Sequence, residues 1–210
     1  MSKKRRKIRK TVGGVLIIAG SFIILFAVTI NLIDLIKSAA TVAAFKKSSV
    51  KLETEKVSFD NDVTYQEYSK DIIEGSASAE TGEVICLLRI PKINLEEAVR
   101  EGSTSNVLSS ALGHVENTAF PGEDGNCCIA GHRNYSFGKY FNRLNEIEEG
   151  DYIEIETQNA IYQYEVTGIE IVEPEEVSVL DYVEGNNMTL ITCTPYLIGT
   201  HRLVVHAKML

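Results

Sequence analysis

Proline occurs only four times and glycine 15 times in 210 residues, too sparsely for a disordered or fibrous chain. Beyond residue 10 there is no excess of positive charge. Fourteen basic residues then face 29 acidic ones, which excludes a nucleic-acid partner, because a phosphate backbone needs clustered cations. No internal repeat is visible. Cysteine and histidine number four each, and no Cys/His set has zinc-ligand spacing. Disulfides are also disfavoured. Cys127 and Cys128 are adjacent, too close for bridge geometry, and in a strand they point to opposite faces. Cys86 lies in the apolar run Val84–Leu88 and reads most simply as core; a bridge from it to one of the pair stays open.

With 44% hydrophobic residues, the chain can bury one ordinary domain and has a segment to spare. Seven of the first ten residues are Lys or Arg. Alone they resemble a nucleic-acid patch or a localisation signal, but the following run decides otherwise. No charge occurs from Thr11 to Asn31, and Val15–Ala19 and Phe22–Ile30 are mostly apolar. Extended to Ile33, the run is long enough to cross about 30 Å of hydrocarbon as a helix. The positive-inside rule puts residues 1–10 in the cytoplasm as a basic tail and everything after Asp34 outside. A cleaved signal peptide competes, since Ser38-Ala39-Ala40 and Ala43-Ala44 are small. The apolar core is long for one, so an uncleaved signal anchor over 11–33 is expected. Residues 34–80 read as a stalk, part helix and part linker, with Gly75-Ser76-Ala77-Ser78-Ala79 flexible in composition.

The folded domain is expected over 81–210. Glu83–Ile90 and Leu95–Arg100 read as strands separated by Pro91, and Ser105–Leu112 as a helical turn capped by Ser103, Thr104 or Ser105. The turn cluster Pro121–Asn126 feeds a strand, Cys127–Ala130, that Gly131-His132 cuts off. Phe137, Phe141 and Leu144 have helical spacing, predicting a short amphipathic helix. Tyr152–Thr157 and Ile161–Val172 form a hairpin around Gln158-Asn159, and an acidic loop leads to Asn186-Asn187. About eight short strands with minor helices indicate an all-β, closed or partly closed barrel.

The final pair of strands carries the chemistry. Thr189–Thr194 and Arg202–Ala207 are rich in β-branched residues, with Pro195, Gly199 and Thr200 between them. A symmetric hairpin about Leu197-Ile198 places Cys193 opposite Arg202, with Cβ atoms roughly 5 Å apart on one face. A thiol beside a fixed positive charge is where a reactive thiolate is stabilised. The bland reading is a small buried hydrophobe next to an unrelated surface arginine. Of the four histidines, His132 stands apart because it follows Gly131 at a strand end, where a loop presents side chains at a barrel rim. Read alone, it is as easily solvated surface.

The strings Ile129-Ala130-Gly131-His132-Arg133 and Thr189-Leu190-Ile191-Thr192-Cys193, with Arg202 opening the last strand, resemble the sortase family of Gram-positive bacteria. So do Arg89–Ile93, Gly113-His114 leading through Thr118 to Pro121-Gly122, Gly125-Asn126, Phe141, Leu144, Gly150-Asp151 and Arg202–Val205. The resemblance implies an eight-stranded sortase β-barrel and a cysteine transpeptidase, with His132, Cys193 and Arg202 as its site. Within the family the chain looks most like class D. Pilin-polymerising class C members share the Cys-Thr-Pro-Tyr and Thr-His-Arg-Leu strings but usually add an Asp-Pro-aromatic lid and often a C-terminal membrane helix. No Asp-Pro occurs here and the sequence stops at Leu210. A class B-like long helix before the cysteine strand does not fit residues 173–187.

The implied substrate is a surface protein bearing a Leu-Pro-X-Thr-Gly-like signal, cut between Thr and Gly, with the acyl group passed to a cell-wall precursor amine. Three alternatives stand beside this reading: a class C-like pilin polymerase, a hydrolytic cysteine peptidase and a non-catalytic surface barrel that binds ligands. No cofactor is expected. Some family members bind Ca²⁺ between two acidic loops; here Glu116, Glu123 and Asp124 occupy the first region and Glu173, Glu175 and Glu176 the second, without matching a ligand set. His114 also resembles a family position, with a structural hydrogen-bonding role expected.

Overall fold

The structure is a computed structural model and describes residues 3–58, 79, 81–133 and 139–210. The linker part of the expected stalk (59–78 and 80) and Phe137 lie outside the described residues. The chain forms two compact units, residues 1–39 and 40–210. The first helix, α1, is Lys3–Ser58. Within it, Leu16–Ser48 is long and apolar enough, by length and composition, to cross a membrane. Its large apolar side chains between Leu16 and Ile36 are exposed, as suits a lipid-facing surface.

In the second unit, eight strands follow in order: β1 (Val84–Ile90), β2 (Leu95–Glu101), β3 (Leu112–His114), β4 (Gly125–Ala130), β5 (Tyr152–Glu156), β6 (Ile161–Val172), β7 (Asn186–Thr194) and β8 (His201–Met209). They close into a barrel in the order β1-β2-β3-β4-β7-β8-β6-β5. Closure leaves no unpaired edge. β2/β3 and β4/β7 are parallel, and the other neighbours antiparallel. The interior is filled by one residue in two along each strand, including Leu88, Ile90, Ile129, Ile153, Ile155, Tyr164, Met188, Leu190 and Val205. The β5–β6 hairpin turns where its sequence predicts, with Glu156 paired to Ile161 and the Thr157 N–H donating to Ala160 O at 2.9 Å.

Two expectations need correction. The helical turn after β2 is shorter than its sequence suggests. It is α2, Ser105–Leu108, capped by Thr104, whose hydroxyl accepts from the Val107 N–H. Leu112 instead opens β3, drawn into the sheet by parallel pairing with Val99. The amphipathic helix over Phe137–Leu144 is also not formed in its described part. Tyr140 has φ +49°, which interrupts a right-handed helix, and only a 3-10 turn follows at Leu144–Glu146. Phe141 and Leu144 are nonetheless fully buried, so their spacing reports core contact without a helix.

The part of α1 that belongs to the second unit packs on the outside of β1 and β2. Val42 and Phe45 are buried against Leu87 and Ala98, with Val84 alongside. A charge cluster borders this contact. Lys46 Nζ donates to Glu96 Oε1 at 2.7 Å, Arg89 Nε reaches the same oxygen at 2.6 Å, and Arg89 also pairs with Glu154 (2.6 Å) and Glu156. Although burial opposes it, hydrogen bonding to these three carboxylates holds the Arg89 pKa above its ordinary value. Phe45 is 5% exposed, so removing its ring uncovers Leu87 and Ala98. Phe45→Ala is expected to destabilise the domain by about 3 kcal/mol, lowering Tm by roughly 6–12 °C. Thermal unfolding of the two proteins checks this; an unchanged Tm contradicts the packing role.

Candidate active site

The site is built from three neighbouring strand ends. On β7, Met188 and Leu190 face the core, so the alternate residues Thr189, Ile191 and Cys193 point outward. On β8, Leu203, Val205 and Ala207 face the core, and Arg202, Val204 and His206 point outward. The antiparallel register pairs Cys193 directly with Arg202. Thiol and guanidinium therefore share the outer face, as the hairpin symmetry of the sequence predicts. On the other side of β7, the parallel register pairs Cys128 with Thr189 and Ala130 with Ile191. The ladder ends there, and His132 follows two residues later, just past the hydrogen bond from the Gly131 N–H to Ile191 O. The end of β4 that leads to His132 thus adjoins the strand that carries Cys193, whose other neighbour carries Arg202.

Short-range contacts hold this rim in place. The Gly131 N–H donates to Ile191 O at 3.0 Å, and the Thr192 hydroxyl donates to Gly131 O at 2.7 Å. A Cβ on Gly131 would lie 2.5 Å from Leu112 Cδ2 and 2.7 Å from Phe141 Cδ2, both in fully buried residues. Only glycine lets the chain leave β4 against that wall. The His132 carbonyl then accepts from the Phe141 N–H at 3.2 Å. Across the rim, Arg202 Nη1 donates to Gly199 O (3.3 Å) and His201 O (3.1 Å). Both of these bonds use Nη1; Nε and Nη2 donate to no other described residue. Gly199, at φ +67°, closes the β7–β8 turn by donating to Pro195 O at 2.9 Å. A Cβ there would lie 3.5 Å from Cys193 Cβ, so the loop backbone packs directly against the thiol.

The remaining histidines are engaged elsewhere. His114 is buried, with Nδ1 2.7 Å from Glu101 Oε2, Nε2 donating to Ala119 O at 2.9 Å, and its ring stacked on Phe120. His201 lies 3.3 Å from Glu173. His206 bridges Thr189 (3.2 Å) and Glu170 (2.9 Å). Carboxylates of the acidic loops are taken up by hydrogen bonds within and between those loops. Asp124 accepts from the Tyr182 hydroxyl (2.6 Å) and the Gly185 N–H (2.8 Å), which hold its carboxyl below the ordinary range. Glu123 accepts from the Phe120 N–H and Glu176 from Ser178. No group of three or more His, Cys, Asp or Glu among the described residues is arranged to hold a metal ion. Sequence reasoning overlooked Gly131, Thr192 and Gly199 as site-shaping residues, and treated Arg133 only as part of a string. None of these bears on chemistry until the three strand ends are seen together.

All four cysteines are free, and only Cys193 is not buried. Burial pushes the Cys86 and Cys127 thiols up, and Cys128 to about 12, so these three stay protonated and inaccessible near neutral pH. Iodoacetamide is therefore expected to label Cys193 alone in the folded protein and all four after unfolding. Peptide mapping by mass spectrometry checks this; labelling of Cys127 or Cys128 in the native state contradicts it.

Comparison with known proteins agrees with this geometry. A sortase-domain family model matches residues 88–210, most of the barrel. Sortase SrtE1 of Streptomyces coelicolor is 37% identical over 148 residues, 63% of this chain and 42% of that protein. Sortase D of Bacillus subtilis is 31% identical over 124 residues, 59% of this chain and 61% of that protein. The chain thus spans about half the length of these curated relatives. A solved Clostridium perfringens Sortase D5 transpeptidase superposes with a TM-score of 0.61 at 37% identity, covering 80% of this chain and 99% of its own. Barrel order, rim and matched residues lead to one classification: the chain belongs to the sortase family.

Proposed function

We propose that this protein is a membrane-anchored cysteine transpeptidase of the class D type. It cleaves a Leu-Pro-X-Thr-Gly-like sorting signal between Thr and Gly and transfers the acyl group to a cell-wall amine. The observation that carries the reading is the Cys193–Arg202 pair on the outer face of the barrel, next to the strand end at which Gly131, the residue before His132, is bonded to Ile191 and Thr192. The resemblance to proteins named Sortase D and Sortase D5 supports the class. The apolar stretch of α1, with its cationic N-terminal end inside the cell, anchors the chain and leaves the barrel outside.

The chemistry follows from the three groups. Cys193, as thiolate, attacks the threonine carbonyl carbon and forms a C–S bond. Negative charge grows on the carbonyl oxygen, and Arg202, through Nε and Nη2, stabilises it; one such donor is worth roughly 3–4 kcal/mol. His132, protonated, gives its proton to the departing glycine nitrogen as the C–N bond breaks. The incoming amine then attacks the thioester. His132 takes the amine's proton, the new amide forms, and the thiolate is released.

Incubating the protein with a sorting-signal peptide, with and without an added amine, tests this. Amine-dependent product is expected, with turnover lost in Cys193→Ala and kcat reduced about 100-fold in Arg202→Lys, since a point charge does not replace a planar fork. Peptide release unaffected by amine identifies a hydrolase instead. No consumption of any sorting-signal peptide leaves a non-catalytic barrel.

A further inference from the structure

Arg133 follows His132 and is half-buried. Its guanidinium ties its own segment to two other stretches of chain, the 142–145 turn and the end of β7. Nη1 donates to Thr194 Oγ1 at 3.1 Å, Nη2 to Asn145 Oδ1 at 2.7 Å and Nε to Asn142 O at 3.3 Å. Its Cζ also stands 5.8 Å from the centre of the Tyr196 ring, within cation–π range. The arrangement has a simple logic along the sequence. The residue after the imidazole is bonded to the residue after the thiol, since Arg133 adjoins His132 and Thr194 adjoins Cys193. Asn142 and Asn145 meanwhile fix the turn whose Phe141 N–H holds the His132 carbonyl.

We infer that Arg133 is a positioning residue, setting the spacing between His132 and Cys193 through its bond to the Thr194 hydroxyl. The inference rests on the reading that those two residues carry the reaction. Arg133 itself touches no reacting atom. The β4–β7 ladder ends at Ala130–Ile191, so beyond it backbone pairing alone does not govern how the two chain ends separate. Thr192 and Gly131 add one link, and the Arg133–Thr194 bond adds the next, between the residues that directly follow His132 and Cys193. Three donors diverging in one plane serve three acceptors at once, which a lysine ammonium on a flexible stem does not reproduce. A misplacement of about 1 Å between reacting groups costs on the order of 100-fold in rate, so such a strut acts on kcat more than on peptide binding.

The test uses the full chain in detergent micelles, with steady-state transfer of a sorting-signal peptide to an amine. Arg133→Ala is expected to lower kcat about 30-fold, Arg133→Lys nearly as much, and KM to stay within about twofold. Thr194→Val, nearly isosteric, removes only the hydroxyl and is expected to lower kcat about fivefold. Because both variants break the same bond, the double variant is expected to be no slower than Arg133→Ala alone. Should Arg133→Ala fail to fold, Thr194→Val with Arg133→Lys completes the same cycle. A kcat within twofold of the parent in the arginine variants, or effects that multiply in the double variant, overturns the inference while leaving the transpeptidase reading intact. A parent protein without Cys193-dependent turnover overturns the reading itself.

Discussion

The register of β7 between its two neighbours is the constraint from which the rest follows. Side chains alternate across a strand, so a one-residue slip sends Cys193 inward and a core residue to the rim. The slip is prevented by what lies on the other face. Met188 and Leu190 on β7, Leu203 and Val205 on β8, and Ile129 on β4 are all packed in the same interior. Exposing even one such side chain costs about 1.5–3 kcal/mol, and a slip would expose several together. The core therefore dictates which residues meet outside, and Cys193 meets Arg202 because Met188 and Leu190 cannot be anywhere but inside.

The same outer face carries a second set of polar groups that differs from those at the rim. Below the rim, Asn126, Thr189, His206 and Glu170 form a hydrogen-bonded row across β4, β7, β8 and β6. Asn126 Nδ2 also donates to Val179 O and Asp181 O, docking the β6–β7 loop on that row. Polar groups there are satisfied by one another. At the rim, no partner strand or loop side chain takes up the Arg202 Nε and Nη2 donors among the described residues, and His132 is exposed.

Much of this was legible in the residues. The hairpin of β7 and β8, its pairing of Cys193 with Arg202, and the strand ending at Gly131-His132 all come from β-branched runs and turn residues that act locally. Closure of eight strands and the membership of the family likewise agree with the motifs in their order. Three features were not legible because they depend on distant partners. Leu112–His114 is a strand only because β2 pairs with it in parallel. Phe141 and Leu144 have helical spacing but meet the core from a turn, since Tyr140 takes a left-handed conformation. Val42 and Phe45 sit in a segment that reads as a spacer, yet they find Leu87 and Ala98 on the barrel flank. Arg133 belongs with these, because its acceptors at Asn142, Asn145 and Thr194 come together only in the folded chain.

The most direct measurement of the central claim is intact-protein and peptide-mapping mass spectrometry after brief exposure to a panel of sorting-motif peptides without amine. The account predicts one covalent acyl adduct, carrying the residues up to the threonine, on the sulfur of Cys193. An adduct on another residue, or tight peptide binding that never becomes covalent, would contradict it.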